Sequence, residues 1–106
     1  MRDFLKGAVG ALIISVVTST SASAGVIASA CVRSDREAAS WRMCNCWQHV
    51  ANQSLSRADQ RLAAKFFRDP HMAQEIRQSR ARSHEIFWER YRAFGDTAEV
   101  MCKGVG

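Results

Sequence analysis

Three side chains in the stretch WRMCNCWQHV, Trp41 to Val50, have the chemistry to do more than pack: Cys44, Cys46 and His49. A Cys-x-Cys pair can exchange electrons as a dithiol, clamp a metal ion with a nearby histidine, or supply halves of two separate disulfides. Redox work calls for an exposed thiolate of low pKa, usually at a helix N-terminus. This pair instead lies well inside a helical pattern, between Trp41 and Trp47. A metal reading could enlist Cys46 and His49, one helical turn apart, but His71 and His84 are distant along the chain and no paired Cys-x-x-Cys accompanies them. Structural disulfides are the reading preferred here. Side chains two apart on a helix diverge by about 200°, so Cys44 and Cys46 are poorly placed to bond each other, and the partners left are Cys31 and Cys102. Cys31 to Cys44 with Cys46 to Cys102 is favoured, because Cys46 falls on the apolar face and Cys44 on its flank. Cys31 to Cys46 with Cys44 to Cys102 is the alternative.

Four cysteines in a short chain point to an oxidising compartment, and the N-terminus agrees. Arg2 and Lys6 precede an apolar run, GAVGALIISVV from Gly7 to Val17, and Ala22-Ser23-Ala24 forms a small-residue cleavage site. This is the pattern of a secretory signal peptide spanning residues 1–24. The run is shorter than the roughly 20 residues a membrane span needs, so no span is expected in the mature chain, and the protein is expected in the periplasm or outside the cell. Ala28-Ser29-Ala30 before Cys31 raises lipid anchoring through Cys31 as a lesser alternative. Removing Arg2, Lys6 and Asp3 with the signal lowers the formal charge from +5 to +4. A mildly basic exported chain suits an anionic protein or membrane surface as partner and argues against nucleic acid.

The elements that must position these groups are helical. The sequence has one proline and no strand-like alternation. Residues 25–33 are expected as a flexible lead-in, and residues 34–106 as an all-α domain of three helices plus a short C-terminal helical turn. Ser34-Asp35-Arg36-Glu37 fits a capping box opening a first helix, Asp35 to about Ser54, with Ala39, Met43, Cys46, Trp47 and Val50 on one face. Ser56 caps a second helix whose buried side is Leu62, Ala63, Phe66 and Phe67. Asp69-Pro70 ends it and opens a third, Pro70 to Phe94, stopped by Gly95. Asp96-Thr97-Ala98-Glu99 then caps the closing turn that carries Cys102.

Outside the cysteines, Arg77, Arg80, His84, Trp88 and Arg92 lie along one flank of the expected third helix as a candidate surface for an anionic partner, with Trp88 able to make cation–π contacts. The competing reading buries Trp88 and drapes the arginines over it. No catalytic residues are indicated: there is no glycine-rich phosphate loop, and Glu85 and Glu89 sit one turn from Arg82 and Arg92 as surface pairs would. No cofactor and no metal site are expected, and a non-enzymatic binding or accessory module is favoured over a thiol-redox or metal-handling protein using Cys44, Cys46 and His49.

The run LSRADQRLAAKFFRDPHMAQEIRQS, Leu55 to Ser79, followed by FWERYRAFG, Phe87 to Gly95, resembles a family of short exported bacterial proteins with four cysteines, often labelled arginine transporters. The resemblance covers nearly all of the mature chain and implies a link to amino-acid transport. It brings no functional residues with it. Without a membrane span the mature chain cannot be the carrier itself, which leaves an accessory or binding role.

Overall fold

The computed structural model describes residues 25–37 and 39–105; the expected signal peptide lies outside them. Five helices follow one another: α1 Val26–Val32, α2 Trp41–Ser54, α3 Arg57–Arg68, α4 Pro70–Arg77 and α5 Arg82–Met101. The described residues contain no strand, in keeping with an all-α fold. α1 packs on α2 and α3, α2 on α5, and α4 bridges α3 and α5.

Residues 25–33 are not a flexible lead-in. Val26–Val32 is a helix that buries Ile27, Ala28, Ala30 and Cys31. The Ser34 capping box does not open α2 either, because the Ser34 hydroxyl donates to the Cys31 carbonyl at 2.7 Å and so closes α1. α2 starts later, where Ser40 Oγ accepts the Met43 N–H at 3.0 Å. The second cap is as expected: Ser56 Oγ accepts the Asp59 N–H at 3.1 Å.

The expected third helix is two helices. At the break, Ser79 Oγ accepts the Ala81 N–H at 3.1 Å and meets His84 Nδ1 at 2.7 Å. A serine bonding to nearby backbone offers the chain an alternative to the helical ladder. Gly95 does not stop α5, and the 96–99 pattern caps nothing, since the helix runs on to Met101. Phe94, Ala98 and Cys102 continue one buried stripe, and that burial outweighs the roughly 1 kcal/mol that a helical glycine costs. The chain turns only at Gly104, whose φ of 84° is one that glycine adopts without strain.

Asp69 precedes Pro70 at the start of α4, but its side chain makes no capping hydrogen bond. Asp69→Ala is therefore expected to change stability by no more than about 0.5 kcal/mol, the usual size for a surface site. A larger shift of the denaturation midpoint would mean that the carboxylate caps α4 in solution.

Two polar links tie the helices together. The carboxamide of Gln48, on α2, is buried. Its Oε1 accepts the N–H groups of Ile27 and Ala28 at 2.8 and 2.9 Å, capping α1 from a neighbouring helix. Its Nε2 donates to Asn52 Oδ1 and to Gln60 Oε1, each at 2.8 Å. Gln60 Nε2 in turn donates to the Leu55 carbonyl at 3.2 Å, holding the turn between α2 and α3. All four bonding positions of the Gln48 amide are thus filled. A Cβ at Gly25 would lie only 2.3 Å from this carboxamide, so the close approach needs glycine there. The second link is the two-pronged pair from Arg90 on α5 to Asp59 on α3, at 2.6 and 3.0 Å. It holds the Arg90 pKa above its ordinary value, chiefly through the hydrogen bond to Asp59.

Candidate functional site

The cysteines form two disulfides, Cys31–Cys44 and Cys46–Cys102, with Cα–Cα distances of 5.6 and 5.8 Å. The pairing is the favoured one, but the burial behind it is reversed. Cys44 is wholly buried and Cys46 only partly so, because α1 covers the flank of α2 that seemed peripheral. Cys44, Cys31 and Ala28 make a small core of their own. The Cys-Asn-Cys segment is therefore not a dithiol: each sulfur belongs to a bond with a different chain end. Cys31 Sγ, bonded to Cys44, is not free to carry a lipid thioether. Among the described residues no cysteine is free, and no three His, Cys, Asp or Glu side chains gather as metal ligands would. His49 is exposed and meets Gln53 at 3.5 Å, not Cys46. Two disulfides are characteristic of an oxidising compartment outside the cytoplasm.

The residues singled out for an anionic partner fall on two helices and the connection between them. Arg77 ends α4 and Arg80 lies in the connection, while His84, Trp88 and Arg92 are on α5. His84 is engaged with Ser79. Trp88 is half-buried against the aromatic core, 6.5 Å from the Phe66 ring on α3 and 5.2 Å from Tyr91.

Helical geometry assembles something else from the aromatic residues. Phe66 on α3 meets Tyr91 on α5 edge-on at 5.2 Å and Phe87 at 6.0 Å, while Trp47 on α2 approaches Phe67 at 6.1 Å. Between these helices a cleft of about 260 Å³ is walled by Trp47, Phe66, Phe67, Tyr91 and Phe94. Its charged lining groups are Arg36, from the loop before α2, and Glu99 on α5. The Arg36 guanidinium lies over the Phe67 ring, 5.2 Å from its centre, an arrangement favoured by the negative face of the ring. An apolar cleft with a few converging polar groups is the usual form of a small-ligand site, and this one has room for a group about the size of an aromatic side chain.

The local patterns put Arg36 inside a helix and Glu99 in a cap, and neither pattern brings the two to one site. The available signal was the density of aromatic residues at 66, 67, 87, 88, 91 and 94.

Tyr91 reports on the cleft. Burial favours its neutral phenol and raises its pKa above the ordinary 10.0, while the positive charge of Arg36 acts in the opposite sense. A raised value means that the folded chain keeps a proton that the unfolded chain loses. The associated stability is intact below pH 10.0 and falls away as pH rises through the folded pKa. Tyr91 is the sole tyrosine of the chain, so ultraviolet titration of the phenolate reads it alone. The midpoint is expected above 10.0, and Arg36→Gln should move it higher still. No upward movement in that variant would place Arg36 away from the cleft.

Comparison of the chain with family models, with curated proteins and with solved structures finds no match, so the cleft and the disulfide framework stand on their own geometry.

Proposed function

We propose that this chain is an exported, non-enzymatic binding module of the bacterial periplasm, released from residues 1–24 and holding a small apolar or aromatic group in the cleft between α2, α3 and α5. The observation that carries this reading is the convergence of five aromatic walls and the Arg36 guanidinium on one opening of about 260 Å³. Arg36 gives the cleft a preference for a ligand with a carboxylate or other anionic end. The family resemblance supports an accessory part in amino-acid transport. The lining of the cleft suits an apolar side chain better than a guanidinium, for which Glu99 is the one carboxylate on offer among the described residues.

Titration with the fluorescent probe anilinonaphthalenesulfonate, an aromatic anion, tests the reading. One-to-one binding is expected, to be abolished by Gly95→Trp. Gly95 lines the cleft, and a Cβ there meets nothing within 4 Å, so a large side chain can fill the opening without disturbing the core. An unchanged melting temperature in the variant separates blockage from unfolding. Binding that survives in Gly95→Trp, or no saturable binding by the parent, would remove the cleft as the ligand site.

A further inference from the structure

A second surface, independent of the aromatic cleft, carries charge of one sign. On α3, Arg57, Arg61, Lys65 and Arg68 are all exposed. Their spacing places them within about 80° of the helix circumference along roughly 16 Å of its length. Asp59, on the far side of α3, is turned inward and paired with Arg90. Alongside runs α1, which presents Val26, Ser29, Ala30 and Arg33 to the same side, so that the two helices form a shallow trough with a floor of small residues and a basic rim. Among the described residues, no Asp or Glu lines this trough or the adjoining one that holds Arg57. Among the described residues, none of these five cations has a carboxylate within 4.0 Å.

The course of the chain indicates what such a face meets. Gly25 lines both troughs, so the polypeptide leaves toward residue 24 from the middle of the basic surface. Only residues 18–24 separate Gly25 from the apolar run ending at Val17, a tether of at most about 25–30 Å. With that run in a bilayer during export, a tether of this length would hold Gly25, and with it the basic face, within about 30 Å of the headgroups. Val26, on the trough floor, is 42% exposed and adds an apolar contact at the same place.

We propose that the α1–α3 face lies against the anionic phospholipid surface of the membrane through which the chain is exported, and that the processed protein stays there by charge. Each cation near an anionic bilayer surface strengthens binding by about five-fold. An acidic protein satisfies the same charges, but it gives no reason for the chain to emerge from the centre of the face.

Co-sedimentation with vesicles tests this, using protein purified after expression of the full chain and compared throughout in one processed form. Binding is expected to phosphatidylglycerol mixed with phosphatidylcholine, to be lost at high salt, and to be absent with phosphatidylcholine alone. Replacing Arg57, Arg61, Lys65 and Arg68 by Gln together should weaken it by roughly 100-fold or more. Replacing Arg77, Arg80, Arg82 and Arg92 by Gln removes the same charge elsewhere and should change it only a few-fold. Equal losses in the two variants would reduce the effect to net charge and overturn the proposal, as would a loss confined to the second set. Binding to polyglutamate but not to vesicles would assign the face to an acidic protein and overturn it equally.

Discussion

Cys102→Ser is expected to lower stability by roughly 2–5 kcal/mol, the usual cost of deleting a native bridge from a small exported domain. Cys46–Cys102 spans 56 residues against 13 for Cys31–Cys44. Closing the longer loop removes more freedom from the unfolded chain, about 4 against about 3 kcal/mol on the chain-entropy argument. Burial does not separate the two, because Cys31 and Cys102 are both buried and a serine at either brings a hydroxyl into an apolar site, so the ranking rests on loop length. Denaturant melts of Cys102→Ser and Cys31→Ser should therefore rank the first as the less stable, and alkylation of Cys102→Ser should find one free thiol, at Cys46. The reverse ranking would mean that the end of α5 is held mainly by the contacts of Phe94 and Ala98, with the bond secondary.

Gln48→Leu is expected to cost on the order of 3 kcal/mol. Leucine approximates the volume of glutamine but offers no acceptor to the Ile27 and Ala28 N–H groups and no donor to Gln60. A buried group left without its partner costs about 1–3 kcal/mol, and several are orphaned together. The loss should be local as well as global: hydrogen exchange at α1 should accelerate more than exchange at α5, whose helix does not touch the Gln48 amide. Gln48→Glu separates shape from chemistry, since a carboxylate can still accept from α1 but cannot donate to Gln60 or Asn52. Wild-type stability in Gln48→Leu would show that α1 is held by Ile27 burial and Cys31–Cys44 alone.

Part of the architecture was legible because local chemistry specifies it. Ser56 capping α3 and Asp69-Pro70 dividing α3 from α4 follow from hydrogen-bonding and steric preferences that act within a few residues. The separation of Cys44 from Cys46 follows from the pitch of the helix. The misplaced boundaries have two causes. Ser34 and Ser79 can serve either side of a helix break, and short-range bonds to the Cys31 carbonyl and to the Ala81 N–H and the His84 ring decide which; at Gly95 burial of the Phe94-to-Cys102 stripe overrides the local stop.

The candidate sites divide in the same way. The helical class, the disulfide chemistry with a favoured pairing, and the excess of basic groups can be read before the chain folds, because they follow from spacing, count and charge. The tertiary structure alone decided that Gln48 caps a helix 20 residues earlier. It decided too that Arg36 and Glu99 line the same aromatic cleft, and that Arg33 of the α1 end and Arg61, Lys65 and Arg68 of α3 border one trough. Each of these depends on which faces of separate helices meet, and that is set by the simultaneous burial of all of them, which no single helix's periodicity records.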